Sequence, residues 1–155
     1  MSQRKQFATK KQIPEIIKNL TLEKLVKVVK DANALYNNGQ YEEAVWWYDK
    51  AIELNPTNIG TLYNKANVLV KIGKYAEAIS CYDQVIEIDP THVGALYNKA
   101  NLLEKLDRNL DAISLYEKVV QIDPTHIPAH YNKRVALEKV GKHYAIGLTT
   151  IKQLL

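Results

Sequence analysis

The side chains here that most often do chemistry unaided are one thiol, Cys81, and four imidazoles, His92, His126, His130 and His143. A thiol becomes a nucleophile only where its surroundings favour the thiolate. Cys81 sits in an apolar stretch of helical spacing, in register with Trp47 and Leu115, and so reads as a packing residue. His126 and His130 are four apart and would share a helix face, which is the start of a two-ligand arrangement. No further His, Cys or acid cluster completes the three or four ligands that zinc requires. A glycine-rich phosphate loop is absent, and the acids are scattered as on solvated helix faces. The sequence therefore predicts no catalytic residue, no metal site and no cofactor.

Asparagine and tyrosine are placed with more regularity. Tyrosine occurs 10 times against one phenylalanine. An asparagine amide carries donors and an acceptor together and can bond any peptide backbone. A tyrosine ring offers flat apolar contact and a polar tip at low entropic cost. That chemistry suits recognition rather than reaction. It serves equally well to bond neighbouring segments of the chain to each other.

The elements carrying these residues repeat. Glu53-Leu54-Asn55-Pro56-Thr57, Glu87-Ile88-Asp89-Pro90-Thr91 and Gln121-Ile122-Asp123-Pro124-Thr125 recur every 34 residues. So do Leu62-Tyr63-Asn64-Lys65-Ala66-Asn67 and Leu96-Tyr97-Asn98-Lys99-Ala100-Asn101, with a third copy at His130-Tyr131-Asn132-Lys133-Arg134. Within one unit, Leu62, Ala66 and Leu69 form one helical stripe, and Tyr75, Ala78, Ile79, Tyr82, Val85 and Ile86 form a second. Gly73 between them can end a helix in the left-handed conformation. Pro90 closes the second helix, and Thr91 is the expected cap of the next. Units of two antiparallel helices cannot bury their apolar faces alone and must stack.

The repeats run at about 25–58, 59–92, 93–126 and a divergent 127–155. In the third, Asp107-Arg108-Asn109 replaces Gly73-Lys74-Tyr75, and Leu110 is expected to restore the lost packing. In the fourth, Arg134 takes a small-residue position, and a second helix fits if Gly141-Lys142-His143-Tyr144 supplies one inserted turn residue. No further helix follows, so Leu154 and Leu155 would lie at an open, apolar end. Residues 14–20 read as a short separate helix with Pro14 in its first turn. Trp46 aligns with Ser80 and Ser114 and should face outward, either against that leader or toward a partner.

The pattern resembles the tetratricopeptide family over roughly residues 25–155. Ala32, Ala66 and Ala100 stand where that family packs its first helix closely on its second. Ala44, Ala78 and Ala112 are the partner small residues, and Tyr48, Tyr82, Tyr116 and the three prolines complete the motif. The resemblance implies an all-α fold, a right-handed superhelix of antiparallel helix pairs over residues 22–155. It also implies a protein-binding scaffold without enzymatic activity. Ligands would lie on the concave face, where the candidates are Asn33, Tyr63, Asn64, Asn67, Lys71, Tyr97, Asn98, Asn101, Lys105, Tyr131 and Asn132. Some co-chaperone members grip acidic carboxyl-terminal tails with a clamp of basic and asparagine residues. Asn33 and Asn64 match its asparagines, but Val29, Gly94 and Asn98 stand at its basic positions. Tight, charge-dependent capture of such tails is therefore not expected.

Composition narrows the partners. The net charge of +4 resides in residues 1–20, where Arg4, Lys5, Lys10, Lys11 and Lys18 face Glu15 alone. The repeat body is neutral, which disfavours nucleic acid except through that basic leader. No apolar run reaches membrane-spanning length, so no membrane is expected. A single cysteine and the absence of a secretion-type leader point to the reducing cytoplasm. The partner expected is a protein or an extended peptide. Homo-oligomerisation through the open carboxyl end is the alternative.

Overall fold

The computed structural model describes the backbone of residues 13–154, and side chains at Asn19 and over 21–142. It comprises α1 (Ile13–Asn37), α2 (Tyr41–Leu54), α3 (Ile59–Lys71), α4 (Tyr75–Ile88), α5 (Val93–Lys105), α6 (Asn109–Ile122) and α7 (Ile127–Leu154). Each helix packs on its neighbours in the chain, and α3 also touches α5 as α5 touches α7. The result is an all-α superhelix of three helix pairs followed by one long helix. No helix among the described residues is long and apolar enough to cross a membrane.

The small residues explain the close pairing. Ala32 and Ala44, Ala66 and Ala78, and Ala100 and Ala112 are all wholly buried where the two helices of a pair meet. Beside each contact a tyrosine, Tyr48, Tyr82 or Tyr116, is also buried. Cys81 joins the core of the second pair, and burial pushes its thiol above the ordinary range, against a reactive role. Trp47 and Leu115, in the same register, pack against the cores of the other pairs.

Turns follow the residue types with one refinement. Gly39 and Gly73 end their helices with φ of 78°, and Asp107 makes the same turn at φ of 60°. The Asp-Pro-Thr segments do not cap with threonine. Thr91 instead donates from its backbone N–H (3.0 Å) and its hydroxyl (2.7 Å) to Asp89, which closes the turn. Those bonds hold the Asp89 carboxyl below its usual range, and Thr125 does the same for Asp123. The cap is the next residue. Asn58 Oδ1 accepts from Thr61 N–H at 2.9 Å, His92 Nδ1 from Ala95 N–H at 3.0 Å and His126 Nδ1 from Ala129 N–H at 3.1 Å. His92→Ala is accordingly expected to cost about 0.5–2 kcal/mol. Urea denaturation would check this, and a smaller loss for His92→Asn, which keeps an acceptor, would identify capping as the cause.

Three expectations change at the ends and in the third repeat. Residues 14–20 are not a separate helix but the first turns of the continuous α1; the side chains of Ile16, Ile17 and Leu20 lie outside the described residues. Leu110 does not restore packing, because it is 63% exposed and Asn109 occupies the buried site instead. Among the described residues the fourth repeat has no separate second helix. Gly141 aligns with Gly73, yet α7 runs through it for 28 residues. Arg134 gives the reason. It stands at the position of Ala66 and Ala100, where a second helix would need close approach, and it is exposed and paired with Glu138 at 2.6 Å. With no helix able to dock there, helical hydrogen bonding simply continues. The outer face of α7 carries exposed His130 and Arg134 where α5 buries Leu96 and Ala100. That face is mixed, since Ile127, Tyr131 and Leu137 are also exposed on α7. The expected open end at Leu154 and Leu155 falls on side chains outside the described residues.

Candidate peptide-binding face

A hydrogen-bond ladder crosses the repeats along α1, α3, α5 and α7. Tyr48 donates from Oη to Asn33 Oδ1, Tyr82 to Asn67 and Tyr116 to Asn101, each at 2.6 Å. The same Oδ1 atoms accept from the next repeat: Asn64 Nδ2 at 3.3 Å, Asn98 at 3.0 Å and Asn132 at 2.9 Å. Asn98 and Asn132 also reach the hydroxyls of Tyr63 (3.0 Å) and Tyr97 (3.1 Å). Burial pushes the Tyr48 phenol up to about 12 and those of Tyr82 and Tyr116 further still. The Glu104 carboxylate, 3.0 Å from the Tyr116 hydroxyl, adds to the last of these.

A second ladder, of ions, runs elsewhere between the repeats. Lys65 pairs with Asp49 at 2.6 Å, Lys99 with Asp83, and Lys133 with Glu117 at 3.0 Å. Lys99 and Asp83 line a cleft of about 290 Å³ that shares no residue with those on the asparagine side.

On the asparagine side lie two clefts. One, of about 300 Å³, is bounded by Asn33, Tyr36, Asn37, Tyr48, Asn64 and Asn67. The other, of about 370 Å³, lies among Asn67, Val70, Lys71, Asn98, Asn101, Leu102 and Lys105. Tyr36 and Asn67 border both, so the two clefts adjoin along the groove face.

The groove brings together seven of the eleven expected residues: Asn33, Asn64, Asn67, Lys71, Asn98, Asn101 and Lys105. Tyr63 and Tyr97 line neither cleft. Their rings rest on the capping imidazoles His92 and His126, with centroids 5.1 and 4.8 Å apart. Tyr131 is exposed beneath the Arg134 guanidinium, and Asn132 ends the ladder. His126 and His130 do not form a metal pair, since His126 Nδ1 caps α7 and His130 Nε2 lies 2.9 Å from the Pro124 carbonyl. Among the described residues no group of three His, Cys, Asp or Glu could hold a metal.

Beyond those candidates the clefts are lined by Tyr36, Asn37 and Val70, and by Tyr48, Tyr82 and Leu102, which align as core residues and are buried. The available signal was the constant 15-residue separation of Asn33 from Tyr48, Asn67 from Tyr82 and Asn101 from Tyr116, which brings each hydroxyl back to the asparagine row. Trp46 does face outward, 53% exposed, edge-on to Trp47 and beneath Lys50.

Stacked antiparallel pairs with a groove along their first helices define a helical-repeat protein. Family models place it more closely. "Anaphase-promoting complex, cyclosome, subunit 3" matches residues 23–85, "TPR repeat" matches 66–107 and "Tetratricopeptide repeat" matches 93–126. The chain belongs to the tetratricopeptide repeat family. Solved structures share the fold. The first repeat domain of Spaghetti (RPAP3), bound to the HSP90 peptide SRMEEVD, is 21% identical with a TM-score of 0.73 over 77% of this chain and 94% of that one. The Arabidopsis OM64 repeat domain is 22% identical, TM-score 0.70, covering 75% and 96%. The MamA protein is 20% identical, TM-score 0.74, covering 82% and 74%. No curated protein matches the chain.

Proposed function

We propose that this protein is a non-catalytic interaction scaffold that receives an extended peptide or partner segment in the groove along α1, α3 and α5. The observation that carries this is the groove itself. Two clefts adjoin at Tyr36 and Asn67, and amide atoms not consumed by the ladder line them. Related folds bound to peptides of HSP90 and HSP70 support the general reading.

The clamp for acidic tails stays outside it. Gly94 stands at one basic position of that clamp, and a Cβ there would lie 3.1 Å from Tyr63 Oη and 3.3 Å from its Cζ. A lysine would displace the tyrosine that Asn98 binds. The buried thiol of Cys81 suits the reducing cytoplasm proposed for the protein.

Alanine at Tyr63, Asn67, Tyr97 and Asn101 would test the ladder as much as the groove. Val70→Trp is the cleaner test, since Val70 is half-buried, lines the cleft and carries no ladder bond. Against a displayed library of random peptides of about ten residues, the wild type should select binders. Val70→Trp should lose them with an unchanged circular dichroism spectrum. Retention of the same binders would remove the groove as the site.

A further inference from the structure

The last helix is 28 residues long, whereas α5 and α6, on which it packs, have 13 and 14. In the 34-residue register, α5 and the turn after it correspond to residues 127–142 of α7. The backbone of residues 143–154 is helical and runs past that pair. A helical segment shorter than about 12–15 residues is marginal in water unless something packs on it. Ile127, His130, Arg134, Leu137 and Gly141 follow one another at steps of three and four, and all five are exposed. The same steps continue in the sequence at Tyr144, Leu148 and Ile151. Alternation of three and four is the spacing of a coiled-coil seam. This seam lies beside the face that α7 buries through Ala129 and Ala136, so the repeat stack does not use it. It is polar where it starts, at His130 and Arg134, and apolar from Leu137 onward.

We infer that a second copy of this chain covers the apolar part of the seam, with the two α7 helices antiparallel about a two-fold axis level with residue 146. In that register Tyr144 meets the partner's Leu148, and Gly141 meets the partner's Ile151. The seam is thus complementary to itself, as a two-fold contact requires. A Cβ added at Gly141 would find nothing within 4 Å, so the space that the partner's Ile151 would enter is open. Charge selects the direction. A parallel pair would set Arg134 against the partner's Arg134 and His130 against the partner's His130. An antiparallel pair leaves Arg134 outside the overlap, beside Glu138, and places the two repeat stacks at opposite ends. The overlap from Leu137 to the end of α7 spans about 27 Å, which is short and suits a weak, reversible dimer. The seam shares no residue with the groove clefts, so the dimer would leave both open to a peptide.

Sedimentation of the full chain from about 1 to 500 μM should show monomer passing to dimer, with half-dissociation in the micromolar range. Leu148→Glu with Ile151→Glu should weaken association by about a hundredfold or more, since the pairing would bury unpaired charges. The urea midpoint of that variant, measured where the parent is monomeric, should match the parent. Thr149→Glu with Thr150→Glu puts the same charges on the opposite side of the helix and should leave the dimer intact. Direction is read by crosslinking. Gly141→Cys and Ile151→Cys, prepared separately, mixed and oxidised with diamide, should form a disulfide between the two variants. Neither variant alone should crosslink, and the parent, whose one thiol is buried, should not either. Monomer at every concentration would leave the seam to some other protein and overturn the inference. A dimer that withstands both seam glutamates would move the contact elsewhere on the chain and overturn it too. Crosslinking of each cysteine variant with itself would show a parallel pair, against the arrangement inferred.

Discussion

Asn67→Leu should destabilise the protein by about 2–4 kcal/mol, more than any single change on the outer surface. The substitution removes the acceptor shared by the Tyr82 hydroxyl and the Asn98 amide. Tyr82 is 1% exposed, so its hydroxyl would be stranded away from water, at a cost of about 1–3 kcal/mol. The Asn98 amide keeps the Tyr63 hydroxyl and loses only a net bond, worth roughly 0.5–1.5 kcal/mol. Tyr82→Phe removes the donor together with its demand for a partner and should cost only about 0.5–1.5 kcal/mol. Urea denaturation of the two variants makes the comparison. If Asn67→Leu costs no more than Tyr82→Phe, the ladder does not hold the repeats together.

Alkaline pH should unfold the protein in a cooperative step. Tyr48, Tyr82 and Tyr116 have phenols raised above their ordinary value of 10 by burial, Tyr48 to about 12. A group whose pKa is raised by folding stabilises the folded state fully below its unfolded pKa. That contribution is lost as pH rises through the folded value. Stability should therefore hold to about pH 10 and fall steeply toward and beyond 12. Phenolate absorbance and far-ultraviolet circular dichroism, followed together, would show late-titrating tyrosines ionising as helix is lost. Simple titration of all ten tyrosines near pH 10 with helix retained would contradict this. On the acid side the lowered carboxyls of Asp89 and Asp123 act in the opposite sense, and their contribution disappears as pH falls below the usual carboxylate range.

The regular parts of the fold could be read directly, because the 34-residue period and the alanine pairs leave few ways to pack. Gly73 turns as its type demands. What could not be read depends on competition between neighbours. Thr91 is a good cap by type, but Asp89 takes its hydroxyl, and the imidazole one residue on assumes the role. Gly141 can adopt either conformation, and with Arg134 at the small-residue position it lies inside α7, which continues through it. The asparagine row was legible as a face, but its bonds were not. Whether Asn67 serves a ligand or a tyrosine depends on where the Tyr82 hydroxyl arrives, and the structure shows that one atom serves the chain while the other is left over.

The two ladders have a mechanical consequence. Asparagines tie successive repeats on the groove side, and Lys65, Lys99 and Lys133 tie them to the preceding helices at separate sites. A stack tied along two separate lines behaves as a braced spring, and a bend that parts successive repeats must stretch its ties. Its curvature is set before any guest arrives, so entry of a peptide need not first straighten the coil. Salt weakens only one of the two lines, since ion pairs are screened and amide bonds are not. Ionic strength would then act on the pitch of the spring before it acts on its integrity.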